Sequence, residues 1–145
     1  MQIGVEAQRA VENRRVFVVE SDEVCGMALQ FMLADDNETH LFADVDAALA
    51  KGQDWPPDLV LIASALLDDG PPQTAGALAR IRSMAGTARV LVICDREDDA
   101  RAQSALAQGA AGTLLRPPRL ETVRRKVDMH LGRRVAIGIQ VARAQ

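Results

Sequence analysis

The stretch PDLVLIASALLDDG, residues 57–70, decides the fold. Pro56 and Pro57 break the chain, Asp58 follows, and Leu59-Val60-Leu61-Ile62 is then a continuous apolar run. A strand with one wet face alternates apolar and polar residues. A strand apolar at every position is buried on both faces, which points to a parallel sheet covered by helices on each side. Asp68-Asp69-Gly70-Pro71-Pro72 is a dense loop signal that closes the segment.

The same reading recurs in both directions. Upstream, Val16-Phe17-Val18-Val19 is a short β-branched and aromatic run. Ser21 or Asp22 can then cap a helix whose Val24, Ala28, Phe31 and Met32 share one face. Asp35-Asp36-Asn37 forms a turn, THLFA at 39–43 is a second strand, and Asp44 caps a short helix carrying Val45, Ala48 and Leu49 that Gly52 ends. Downstream, Thr74 is expected to cap a helix that turns Leu78, Ile81 and Met84 inward. Val90 to Ile93 is the fourth strand, 95–99 a charged loop, and 100–108 an alanine-rich helix stopped by Gly109. Gly112 to Leu115 is a short fifth strand. Leu120, Val123, Val127 and Leu131 space out the last helix, which stops near Gly132.

Five strand–helix units with both-face-buried strands predict a three-layer α/β fold, a doubly wound five-stranded parallel sheet. In such sheets the site forms beyond the carboxyl ends of the strands. Those positions are Glu20-Ser21-Asp22, Ala63-Ser64, Cys94-Asp95 and Arg116-Pro117.

Composition narrows the classes. A chain of 145 residues, 48% apolar, is one domain able to bury a core without disulfides or metal. With 3% aromatic residues the core is aliphatic. The net charge of −3 gives no global reason to expect nucleic acid or an anionic membrane as partner. The first fifteen residues carry acids and no apolar central run, so they are not a secretory signal. The longest uncharged apolar stretch, Leu59 to Leu67, is far short of the ~20 residues a bilayer span needs. Cys25 and Cys94 match no metal or redox spacing and read as reduced thiols of a cytoplasmic protein. His40 and His130 read as surface residues, and Trp55 as packing for a loop.

Four segments in this order, VFVVESDE (16–23), PDLVLIASALLDDG (57–70), RVLVICD (89–95) and GAAGTLLRPP (109–118), resemble the receiver domain of bacterial two-component response regulators. The resemblance implies the flavodoxin- or CheY-like strand order 2-1-3-4-5. It also implies three parts: an N-terminal tail (1–13), a receiver-like domain (14–131) and a C-terminal extension (132–145). In that family an aspartate at the end of strand three accepts a phosphoryl group, and an acidic pair after strand one holds Mg²⁺. A Thr or Ser after strand four and a Lys before a proline contact the phosphoryl oxygens. Carried over position by position, the acceptor falls on Ala63, the acidic pair on Glu20 and Ser21 with Asp22 next, and the hydroxyl on Cys94. The lysine falls on Arg116, the aromatic switch on Thr113, and the proline survives as Pro117, behind a peptide bond that the family implies is cis. The phosphoacceptor is therefore missing, which implies a degenerate pseudo-receiver.

The expectation is a non-enzymatic signalling domain of phosphorelay ancestry that acts by protein–protein contact, independently of phosphorylation. Arg116 is expected to pair with Glu20 or Asp22 and so mimic a constitutive state. No cofactor is expected; Glu20 and Asp22 are the weak candidates for Mg²⁺, against a plainer reading as carboxylates at a helix N-terminus. Cys94 is read as a small buried group, with a sensing thiol as the sharper alternative. The expected partner is a protein or a second copy, met through Ala100–Leu131 and the C-terminal extension. Neither nucleic acid nor membrane is expected. Arg124, Arg125, Lys126, Arg133 and Arg134 read as a solvated helix face. Within the extension, Val135 to Val141 alternates like a strand, while Leu131, Val135, Ile139 and Ala142 keep helical spacing. Either form is additional apolar surface that covers the domain or pairs with a second subunit. The alternatives are a small-molecule sensor using the strand-end crevice and a receiver phosphorylated at Asp68 or Asp69. A small enzyme ranks last, for want of a Ser/His/Asp set, a Gly-rich phosphate loop or a metal cluster.

Overall fold

The structure, a computed structural model, describes residues 14–67 and 73–133, with side chains except at 73–75. The tail 1–13, the Asp68–Pro72 loop and residues 134–145 of the extension lie outside the described residues. Chain order is β1 (Arg14–Val19), α1 (Glu23–Leu33), β2 (Asn37–Phe42), α2 (Val45–Asp54), β3 (Leu59–Ala63), a 3₁₀ turn (Ser64–Leu66), α3 (Gln73–Ala85), β4 (Arg89–Cys94), α4 (Ala100–Ala107), β5 (Gly112–Leu115) and α5 (Leu120–His130).

All strand pairs are parallel and the order is β2-β1-β3-β4-β5. The register aligns Val19 with Ile62, Ala63 with Ile93 and Cys94 with Leu115, so these strands end together at one edge of the sheet. Strand residues alternate between two cores. Phe17, Val19, Val60, Ile62, Val90 and Val92 pack with Ala48 of α2, Leu78 and Ile81 of α3, and Ala102 and Ala105 of α4. Val16, Val18, Leu59, Leu61, Leu91, Ile93 and Leu114 pack with Leu29 and Leu33 of α1 and Val123 and Val127 of α5. The continuous apolar runs thus feed two faces, as the both-faces reading requires.

Several local expectations need correction. In α1 the buried face is Cys25, Leu29 and Leu33, while Val24 and Phe31 are 80% and 84% exposed and Ala28 and Met32 are half-buried. Nearly every residue of EVCGMALQFML is apolar, so spacing alone leaves two stripes. Gly26 selects between them: a Cβ there would come 2.8 Å from the Leu41 side chain, so the glycine side lies against β2. Gly52 does not end α2, which runs to Asp54; the glycine is buried where the Met84 side chain of α3 lies against it. Thr74 is not the cap of α3, which begins at Gln73; a capping hydroxyl contributes only about 1 kcal/mol, and docking of the helix outweighs it. Leu120 is exposed in the first turn of α5. His40 and His130 are half-buried rather than free on the surface. His40 Nε2 donates to Glu38 Oε2 at 2.7 Å and the ring meets the Phe17 ring edge-on at 5.8 Å. Trp55 caps α2 with its ring out in solvent, 5.3 Å from the Arg15 guanidinium.

Leu29→Ala is expected to lower stability by about 2–5 kcal/mol, because it empties a fully buried site between α1 and the sheet. The shift of the urea unfolding midpoint checks it, and an unchanged midpoint would reverse the assignment of α1's faces.

Candidate functional site

The strand ends bring Glu20, Ala63, Cys94 and Arg116 to one edge of the sheet. Glu20 follows β1 and is held by backbone: its N–H donates to the Phe42 carbonyl at 2.8 Å. Its side chain is 1% exposed. A buried carboxylate requires compensation. Glu20 Oε2 accepts from the Asp22 N–H at 3.1 Å, and Oε1 lies 3.0 Å from Arg116 Nη2. The Arg116 contact is an ion pair rather than a well-directed hydrogen bond, since Oε1 has no aligned donor.

Arg116 reaches Glu20 because it closes β5. Its N–H donates to the Cys94 carbonyl at 2.9 Å and the following bond, Arg116–Pro117, is cis as expected. The guanidinium also meets Asp95, Nη1 to Oδ1 at 3.3 Å. Burial works against its charge, but Glu20, Cys25 and Asp95 outweigh that and hold its pKa above the ordinary arginine value. Of the two partners expected for Arg116, the structure chooses Glu20. Asp22 is instead the N-cap of α1, its Oδ1 accepting from the Cys25 N–H at 3.1 Å. Ser21, at the second acidic position, is exposed.

Ala63 is fully buried and aliphatic, so the position offers no nucleophile. Cys94 is also fully buried, and burial, followed by the charge of Asp99, raises its thiol pKa. Thr113 is half-buried, and its carbonyl accepts from Lys126 Nζ at 2.7 Å. Two neighbours are named in the sequence reading but carry no role there. Cys25 sits beside the Glu20–Arg116 pair, and burial, then Glu20, pushes its thiol up to about 11. Ser64, buried after Ala63, donates from Oγ to Asp99 Oδ2 at 3.2 Å, while Asp99 Oδ1 caps α4 by accepting from the Ala102 N–H. The signal for Asp99 was its place just before the alanine-rich helix.

These residues do not suit Mg²⁺. A hard dication needs several converging oxygens. Ala63 supplies none, Asp22 is committed to its cap, and Glu20 is taken by a guanidinium that repels a cation. Among the described residues no three His, Cys, Asp or Glu side chains converge on one point. Beside the pair, Val24, Ala28, Pro117 and Pro118 help line a groove of about 430 Å³ that is open to solvent.

No model of a known protein family matches this chain, and no curated protein matches it. Solved structures do. A response regulator from Thermotoga maritima superposes with a TM-score of 0.72 at 19% identity, covering 83% of this chain and 98% of that one. The chemotaxis protein CheY4 of Vibrio cholerae gives 0.69 at 21%, covering 81% and 98%. The receiver domain of a sensor histidine kinase from Pseudomonas aeruginosa, solved with magnesium coordinated in its active-site cleft, gives 0.69 at 18%, covering 83% and 98%. At these identities the likeness is one of fold: the described domain has the CheY-like receiver architecture.

Arg116→Ala leaves the Glu20 carboxylate buried without its cation. It is expected to cost about 1–3 kcal/mol, the low side for a buried pair because Arg116 is 20% exposed. Chemical denaturation checks it; if Glu20→Ala added to Arg116→Ala costs the sum of the two single changes, the pair carries no coupling. Both thiols are expected to resist a thiol-reactive dye at pH 8 in the native state. With a pKa near 11, only about one Cys25 in a thousand is thiolate at that pH. Labelling of either cysteine within minutes before denaturant is added would instead support a sensing thiol.

Proposed function

We propose that this chain is a receiver-type signalling domain of two-component ancestry that works through protein contacts, without phosphoryl transfer and without catalysis of its own. The observation that carries the reading is the Arg116 guanidinium 3.0 Å from the buried Glu20 carboxylate, beside the aliphatic Ala63. Phosphoryl transfer in this fold needs a nucleophile, and a cation to neutralise charge building up on the transferred group. Here the nucleophile's place is a methyl group. The cation is a permanent guanidinium already neutralised by Glu20 and Asp95, so the site holds one fixed state and needs no metal.

The output side supports docking. Thr113 stands where the family carries a switch aromatic, so no ring reports the state of the site. Leu115, Leu120 and Met129 are exposed on β5 and α5, within the expected contact region Ala100–Leu131. This is apolar surface of the kind a protein partner covers. Neither nucleic acid nor membrane enters the reading: no helix among the described residues is long and apolar enough to cross a bilayer. The alternative of a small-molecule sensor calls for a closed pocket at the strand ends, whereas the groove beside Arg116 is open. A cytoplasmic location fits two free, buried thiols.

The test is an NMR titration with Mg²⁺ and then beryllofluoride, with intact mass after acetyl phosphate. No saturable shift at Glu20, Ala63, Cys94 or Arg116 and no phosphoryl adduct is the expected result. Saturable shifts spreading to α4 and β5, or a phosphoryl group mapped to Asp68 or Asp69, would overturn it.

A further inference from the structure

Helix α1 carries the three most exposed of the large apolar side chains among the described residues. Val24 and Phe31 stand out in solvent, and Met27 between them is 60% exposed. At i, i+3 and i+7 they form one stripe, opposite the face that Leu29 and Leu33 bury. Acids stand at both of its ends, one of them, Asp35, already 3.6 Å from the Arg124 guanidinium. Asp22 and Glu23 stand at the head of α1, Asp35 and Asp36 follow its end, and the helix EVCGMALQFML contains no Lys or Arg.

The described chain ends next to this stripe. Arg133 follows α5, and its guanidinium donates to the Asp36 carbonyl at 3.0 Å. A second guanidinium nitrogen bonds Asp128 at 3.0 Å. The chain therefore leaves the described domain at the C-terminal end of α1. The residues that follow, RVAIGIQVARAQ (134–145), have the complementary composition: Val135, Ile137, Ile139 and Val141 between Arg134 and Arg143, with no acid.

We infer that residues 134–143 fold back over the exposed stripe of α1 in the same molecule, running antiparallel to the helix. In this direction Arg134 comes beside Asp36, the apolar residues cover Phe31, Met27 and Val24 in turn, and Arg143 reaches Glu23. The lengths agree. Val24 to Phe31 spans about 10 Å of helix axis. Residues 134 to 143 make nine steps, about 13 Å as a helix, which covers the stripe, and about 30 Å extended, which also spans the roughly 20 Å between Glu23 and Asp36. The other terminal segment, 1–13, fits less well. It also enters near the end of α5, through Arg14 bonded to the Leu131 carbonyl, but it carries Glu6 and Glu12 against Arg9 and would bring acid to an acidic face. The inference does not depend on how the strand-end site works.

Amide hydrogen exchange of the full chain, read by mass spectrometry at two protein concentrations alongside light scattering, tests it. Amides of 135–142 are expected to exchange about tenfold or more slowly than in a free peptide of residues 133–145. Phe31→Asp is expected to abolish that protection while the strand amides stay protected, because Phe31 takes no part in the core. Ile139→Asp is expected to do the same from the other side, which keeps the test open if one variant folds poorly. Three outcomes overturn the inference: exchange of 135–142 at the free-peptide rate, protection indifferent to both substitutions, or protection that grows with concentration as the mass doubles. The last would assign the stripe to a second copy of the chain.

Discussion

The structure hangs on the burial of β1, β3 and β4 on both faces. Val16 to Val19, Leu59 to Ala63 and Val90 to Cys94 are closed to solvent at every position, so the chain must supply helices to each side of the sheet. Five short helices do this, two on one face and three on the other. Parallel pairing follows, since each helix has to return the chain to the same edge before the next strand starts. All loops that leave strand ends therefore converge on one edge. The site is a consequence of the core: Glu20, Ala63, Cys94 and Arg116 are neighbours because the apolar runs before them stop in register.

That dependence explains what could be read from the sequence. A strand buried on both faces has no periodicity to confuse, and its end is marked by the first charged or small residue, so the strand-end residues were legible. Helices were less so. In α1 the chain is apolar almost all round, and the choice of face rests on the contact of Gly26 with Leu41 on β2, a residue fifteen positions away. Gly52 looked like a stop because glycine costs a helix about 1 kcal/mol. Its reason for being inside one is the Met84 side chain of α3, which no local pattern announces. The Ser64–Asp99 bond joins the ends of two loops thirty-five residues apart and was invisible for the same cause. Local pattern carries the elements; which side of a helix meets the sheet is decided by partners distant in sequence.

The Glu20–Arg116 pair raises a question of economy. Two charges are taken largely out of water, and such pairs contribute little net stability unless their remaining polar atoms are satisfied. Here satisfaction is partial. Glu20 Oε2 has the Asp22 N–H, while Oε1 and Arg116 Nε lack aligned partners. An aliphatic pair of similar volume could fill the same space at no electrostatic cost. The guanidinium keeps its charge at any physiological pH and spans two acceptors at once, Glu20 and Asp95.

The Arg116 charge is balanced within the chain by Glu20 and Asp95. Exposed apolar groups remain on β5 and α5 and on the stripe of α1. Those two surfaces lie on elements that share one core, the layer formed by Leu29, Leu33, Leu114, Val123 and Val127. Close-packed side chains transmit a shift of one helix to its neighbour. Under the proposed fold-back, cover on the α1 stripe bears on α5 through this shared layer.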